Sequence, residues 1–240
     1  MAKYNSKKEK KQEFQTEEVF KNLNKSAKKS EQFLEKYAKQ FAIGFGIIIA
    51  FAFGWIAYLK FVVDPNTKEA QEKFIKAQNL FQKDSLDAAL GGAANMGSDG
   101  FADIYEAYAN TGAGKLSSLY AGLVEYKKGN YQKAIEYFDG FSSDDDIANA
   151  LKYGAIGDAK VQLKNNAEAL ENYDKAISTT DNSGTKVYFM KKAGILALEM
   201  KKYKESLDYF KEISEKYPDV DTSGEVDAYL ERLTYLNGNS

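Results

Sequence analysis

The stretch LYAGLVEYKKGNYQKAIEYFDGF, residues 119–141, decides the fold because two later stretches repeat its order of small and aromatic residues. They are YGAIGDAKVQLKNNAEALENYDKAI at 153–177 and KKAGILALEMKKYKESLDYFKEI at 191–213. Laid over one another, they align Gly122 with Gly157 and Gly194, Tyr131 with Asn166 and Tyr203, Ala134 with Ala169 and Ser206, and Phe138 with Tyr173 and Phe210. The steps are 35 to 37 residues, and a period in that range marks one supersecondary unit stacked on the next.

Composition says what these units are made of. The chain has 240 residues, only 2 Pro, 17 Tyr and 15 Phe, is rich in Ala, Lys, Glu and Leu, and shows no alternating β-type runs. That predicts an all-α protein with one substantial core plus appendages. Cys and His are both absent, which removes thiolate nucleophiles, imidazole bases and Cys/His metal sites. We therefore expect no enzyme, no cofactor and no metal. The lack of Cys does not choose a redox compartment.

The aligned residues resemble the tetratricopeptide repeat. Gly122, Gly157 and Gly194 match its helix-A glycine, Ala134 and Ala169 its helix-B alanine, and Pro218 the proline after the last unit. The physical logic agrees, since a bulky side chain at a close crossing forces two helices apart and a Phe or Tyr fills the gap between units. Ser206 and Asn166 depart from the pattern. The resemblance implies an α-solenoid over 64–240: a degenerate unit at 66–95, a helix at 101–110, repeats at about 115–141, 150–179 and 187–218, and a cap helix at 225–236.

By the same resemblance the groove is lined by the A helices, at Leu116, Leu119, Leu123 and Tyr126, then Leu151, Asp158 and Val161, then Tyr188, Lys191, Ile195 and Leu198. This lining is mostly apolar and lacks the Lys/Asn cluster with which some such domains clamp a terminal carboxylate. Two readings stand: the groove binds an apolar segment, or the protein's own helices fill it. Asp144-Asp145-Asp146 reads as the cap of a helix starting near Ile147 rather than as a metal site.

Upstream, FAIGFGIIIAFAFGWIAYLKFVVDP (41–65) begins with 19 uncharged residues, Phe41 to Leu59. At about 1.5 Å per residue, 41–63 reaches roughly 34 Å, against a hydrocarbon core of about 30 Å. This predicts a single transmembrane helix, retained because no small-residue cleavage site follows. Trp55, Tyr58 and Lys60 fall where amphipathic side chains favour the membrane interface. Ala42, Gly46, Ala50 and Gly54 recur every four residues, a strip on which another helix can dock. Before the span, Phe20, Leu23, Ala27, Ser30, Leu34, Tyr37 and Phe41 form the seam of an amphipathic helix in a basic tail, 1–40. After it, Pro65 and the capping box Asn66-Thr67-Lys68-Glu69 predict a bend or a fresh helix start.

Charge divides at the same place. Residues 1–40 carry 11 Lys and 6 Glu, a net +5, whereas residues 64–240 carry 21 Lys and Arg against 29 acids, a net −8. A short basic tail counts toward the cytoplasmic side, so the N-terminus is expected in the cytoplasm and the repeat domain outside. Nucleic acid is not an expected partner, because the large domain is acidic and holds one Arg, Arg232.

Tail, span and exported repeat domain together are similar to the YfgM-type ancillary subunit of the bacterial Sec translocon, including YAGL at 120–123, IGDA at 156–159 and KYP at 216–218. This resemblance implies the bacterial inner membrane, with the lipid bilayer, the SecYEG translocon and a PpiD-like membrane-anchored periplasmic prolyl-isomerase-type chaperone as partners, and emerging secretory polypeptides as clients. The alternative from another class is a single-span scaffold for a different envelope assembly, in division or outer-membrane biogenesis.

Overall fold

A computed structural model of the chain describes residues 47–92, 98–221 and 224–238. The basic tail with its seam, and Ala42 and Gly46 of the small-residue strip, lie outside the described residues. The chain divides into two compact units, Met1–Val63 and Asp64–Ser240.

In the first unit, residues 47–58 are α-helical and Leu59–Val63 is a π-helix. Pro65 has no N–H to return to the carbonyl of Phe61, and a widened turn absorbs such a missing α-type bond. Among the described residues no helix is long and apolar enough to cross a membrane. The expected span at 41–63 begins six residues before the described part.

The second unit holds ten helices among its described residues: α1 Asp64–Gln82, α2 Leu86–Gly91, α3 Phe101–Tyr108, α4 Gly112–Lys127, α5 Tyr131–Gly140, α6 Asp146–Gln162, α7 Asn166–Thr179, α8 Ser183–Glu199, α9 Tyr203–Lys216 and α10 Glu225–Gly238. The capping box expected at Asn66 is not a helix start, since α1 already runs from Asp64. The reason is that Leu59–Val63, Asp64 and Pro65 before it are helical as well, so Asn66 does not stand at a helix start.

Four helical hairpins share one turn. Between α1 and α2, α4 and α5, α6 and α7, and α8 and α9, one residue is left-handed: Asp84 (φ 57°), Gly129 (81°), Lys164 (64°) and Lys201 (60°). In each case its N–H donates three residues back, and the following N–H five residues back, at 2.9–3.0 Å. These bonds satisfy the carbonyls at the end of the first helix. Helix A therefore needs no capping side chain at its C-terminus, and helix B starts without one. At their N-termini the A helices use side chains: Thr111 accepts from Gly114, Asp145 from Ile147 and Ala148, and Asn182 from Thr185.

Measured from that turn, every hairpin places a small buried residue seven positions before it and another five after: Ala77 and Ala89, Gly122 and Ala134, Gly157 and Ala169, Gly194 and Ser206. A Cβ on Gly122 would come within 2.5 Å of the Phe138 ring, on Gly157 within 2.7 Å of Tyr173, and on Gly194 within 2.8 Å of Phe210. Ser206, the departure from alanine, donates its hydroxyl to the carbonyl of Gly194 at 2.7 Å. Its buried oxygen is thereby paired across the same crossing.

Neighbouring hairpins meet through α5 on α6, α7 on α8, and α9 on α10, while α3 packs on α1, α2 and α4. The short α2 ends at Gly91, with Gly92 at φ 76°. Phe101 of α3 supplies the aromatic of this first hairpin, fully buried beside Phe74, Phe81 and Tyr120 with ring centroids 5.1–6.3 Å apart. At the other end, Tyr229 of α10 stacks on Phe210 at 4.5 Å, and Val226 and Leu233 are buried against the last hairpin.

Two stability predictions follow from this geometry. Lys164→Gly and Lys201→Gly each remove a Cβ from a left-handed residue and are expected to stabilise the fold by about 0.5–1 kcal/mol in urea unfolding. Gly157→Val forces the Tyr173 ring out of the crossing and is expected to cost about 3 kcal/mol in the same measurement.

Candidate functional site

The groove residues expected from the sequence separate into three groups once the A helices α4, α6 and α8 are in place. Leu116 packs against the core of the first two hairpins, and Leu119, Leu123 and Tyr126 against that of the second and third. Val161 joins the core around Tyr173, and Ile195 and Leu198 the core around Phe210. These seven side chains are half-buried, closing the protein's own interior. Leu151 and Tyr188 are different, at 48% and 52% exposed.

The third group is charged. Asp158 on α6 accepts from Lys192 on α8 with both oxygens, at 2.7 and 2.6 Å, and from the Tyr173 hydroxyl at 2.6 Å. The Lys192 ammonium also lies 5.1 Å from the centre of the Tyr188 ring and 5.9 Å from that of Tyr173. Burial pulls the Lys192 ammonium toward neutrality, but the hydrogen bonds and charge of Asp158 outweigh it, so its pKa is raised. Burial pushes the Tyr173 phenol well up, and the hydrogen bond and charge of Asp158 add to that. Tyr126 is raised by burial and then by the charge of Asp158.

Lys191, the neighbour of Lys192, turns the other way and binds Asp221 at 2.6 Å and Glu225 at 3.0 Å. Burial opposes its charge, and the hydrogen bonds to the two carboxylates reverse the balance and raise its pKa. Asp221 also accepts from the backbone N–H of Val226, so Lys191 ties α8 to the first turn of α10. Asp158 and Lys191 are thus ties between hairpins. Sequence reasoning missed Lys192 and Tyr173 as partners of Asp158: Tyr173 lies in the same hairpin and Lys192 in the next, and neither meeting has a local signal.

In the first unit, Ala50 and Gly54 are exposed, and a Cβ at Gly54 would meet nothing within 4 Å. The Trp55 and Tyr58 rings lie 5.9 Å apart, both exposed, with Lys60 exposed after them. Asp145, central in the aspartate run, is the N-cap of α6. An apolar groove of about 400 Å³ runs between α1 and α4, lined by Phe74, Ile75 and Leu116 with Thr67, Gln71, Gly112 and Ala113.

The Asp158–Lys192 tie has a testable pH signature. A lysine with a raised folded pKa stabilises fully below its unfolded value near 10.4, and that stabilisation fades as pH climbs through the folded value. Asp158→Asn is expected to cost about 1–2 kcal/mol at pH 7 in urea unfolding. The gap to the wild type should narrow steadily above about pH 10.4.

A tetratricopeptide repeat profile matches residues 192–219, the C-terminal part of α8 and all of α9. Among curated proteins, none matches the chain by sequence. Among solved structures, the crystal structure of MamA protein is similar at a TM-score of 0.50 and 16% identity, over 70% of this chain and 88% of that one. A second crystal structure of MamA gives 0.47 and 18%, over 68% of this chain and 95% of that one. The profile match falls on the last of four hairpins that share one turn and one pair of small residues, and together with the likeness of fold it supports a protein built on tetratricopeptide repeats.

Proposed function

We propose that this chain is a non-catalytic interaction scaffold, tethered in the bacterial inner membrane with its N-terminus in the cytoplasm and its repeat domain in the periplasm, acting as an accessory subunit of SecYEG beside a prolyl-isomerase-type chaperone. The observation that carries the scaffold is the thrice-repeated glycine–aromatic crossing, which stacks the hairpins into one array. Such an array offers its surface to other proteins. No Cys or His is available to perform chemistry.

The tether rests on the sequence: 19 uncharged residues from Phe41 to Leu59, with Trp55 and Tyr58 near the end and Lys60 directly after it. The translocon assignment rests on the resemblance of span and repeats to that family. In this reading the small-residue strip docks on a channel or chaperone helix, and the repeat surface holds a partner domain or an emerging chain.

The test is affinity purification of the full chain from gently solubilised membranes. SecYEG and a periplasmic isomerase are expected to co-purify, and recovery of other envelope proteins without them removes the translocon assignment. Gly46→Leu with Gly54→Leu is expected to reduce that recovery at least fivefold while leaving the chain in the membrane fraction, because bulk on the strip blocks close helix approach. Unchanged recovery would make the strip lipid-facing only.

A further inference from the structure

We propose that the rim of the A-helix side at the N-terminal ends of α6 and α8 docks a cationic amphipathic segment, one presenting an apolar or aromatic side chain between lysines or arginines. This rests on the scaffold reading and names the chemistry of the partner.

The apolar part comes first. Ile147 and Leu151 lie one turn apart on α6 and are 39% and 48% exposed, and Tyr188 on α8 is 52% exposed. Leu151 and Tyr188 stand at equivalent positions of successive repeats, six residues before Gly157 and Gly194. The two helices are locked together directly beyond them. The Phe189 ring lies against Gly154, with no room for a Cβ there, and Asp158 binds Lys192 one turn further on. Leu151 and Tyr188 therefore stand on two helices fixed against each other. The equivalent residue of the preceding repeat, Leu116, is half-buried beside α1, so among these three positions Leu151 and Tyr188 are the exposed ones.

The charge around this seat is negative. Asp144 and Asp146 are exposed where the chain enters α6, and Asp181 is exposed just before α8. The bases nearby in sequence are Lys152, which donates to the Phe141 carbonyl at 3.2 Å, and Lys186, which pairs with Asp181 at 3.2 Å and offsets its charge, so the excess of acid lies at Asp144, Asp145 and Asp146. The whole segment 64–240 carries 21 bases against 29 acids. An apolar patch with an acidic rim attracts a segment that buries an apolar anchor and neutralises the rim. A second copy would bring the same acidic rim against itself, and an anionic segment would meet like charge.

The probe is a fluorescein-labelled twelve-residue peptide alternating Lys with Leu and Phe, and its counterpart with Glu for Lys, measured by fluorescence anisotropy against the full chain in non-ionic detergent. The Lys peptide is expected to bind, with affinity falling as salt rises, and the Glu peptide not to bind. Leu151→Ser with Tyr188→Ser should weaken the Lys peptide about tenfold or more. Asp144→Asn, Asp146→Asn and Asp181→Asn together should weaken it about fivefold and flatten the salt dependence. All five positions are exposed, so thermal unfolding should stay at the wild-type temperature.

Equal binding of both peptides, or Lys-peptide affinity unchanged in both variants, overturns the proposal. So does self-association by sedimentation equilibrium that the Ser variant abolishes, which would assign the seat to a second copy. Co-purification from membranes separates the two levels of the reading. Partners recovered by the wild type and by both variants alike leave the scaffold standing and remove this seat, whereas no partner recovered by the wild type removes the scaffold itself.

Discussion

The fold depends on one contact made three times, an aromatic ring from helix B lying on a glycine of helix A. Phe138 on Gly122, Tyr173 on Gly157 and Phe210 on Gly194 leave no space for a methyl group. The helices approach closely because both crossing positions are small, and the ring then fills the wedge that opens beyond the crossing. Two of the rings also serve the next element: Tyr173 faces Phe189 of α8, and Phe210 stacks on Tyr229 of α10. The contact that closes one hairpin thus builds the surface on which its neighbour packs, and buried area grows one unit at a time.

Polar groups follow the same nearest-neighbour rule. Asp158 reaches Lys192, Lys191 reaches Asp221 and Glu225, and Asp174 accepts from Tyr209 at 2.6 Å, each about one repeat along the chain. These pairs hold successive hairpins in register, which gives an array stiff enough to present residues such as Leu151 and Tyr188 at a fixed spacing. A scaffold needs that stiffness, because a preformed surface loses less conformational freedom on binding.

Much of the fold was legible because a repeat makes the chain its own comparison. The alignment of Gly122, Gly157 and Gly194 with their aromatics identifies the crossing without coordinates, and the aspartate run reads correctly as a helix cap at Asp145. The first hairpin was harder to read. Its crossing uses Ala77 and Ala89 rather than glycine, its second helix stops early at Gly91, and its ring comes from Phe101 on a separate helix. The start of α1 was misjudged because a proline can either stop a helix or open one, and the residues around it do not say which.

The candidate site shows the division most plainly. Its A-helix positions came from periodicity, but periodicity assigned the same role to Leu116 and Leu151, and only packing separates them. One is half-buried beside α1, and the other is left open on α6. The pairing of Asp158 with Lys192 likewise has no local signal, since the two are 34 residues apart. The sequence by itself determined the helices, the repeat length and the small residues at each crossing, because these follow from side-chain size and spacing along one helix. Which of the equivalent side chains remain exposed, and which charges meet, was decided by the tertiary structure, because both depend on what the neighbouring hairpin places opposite them.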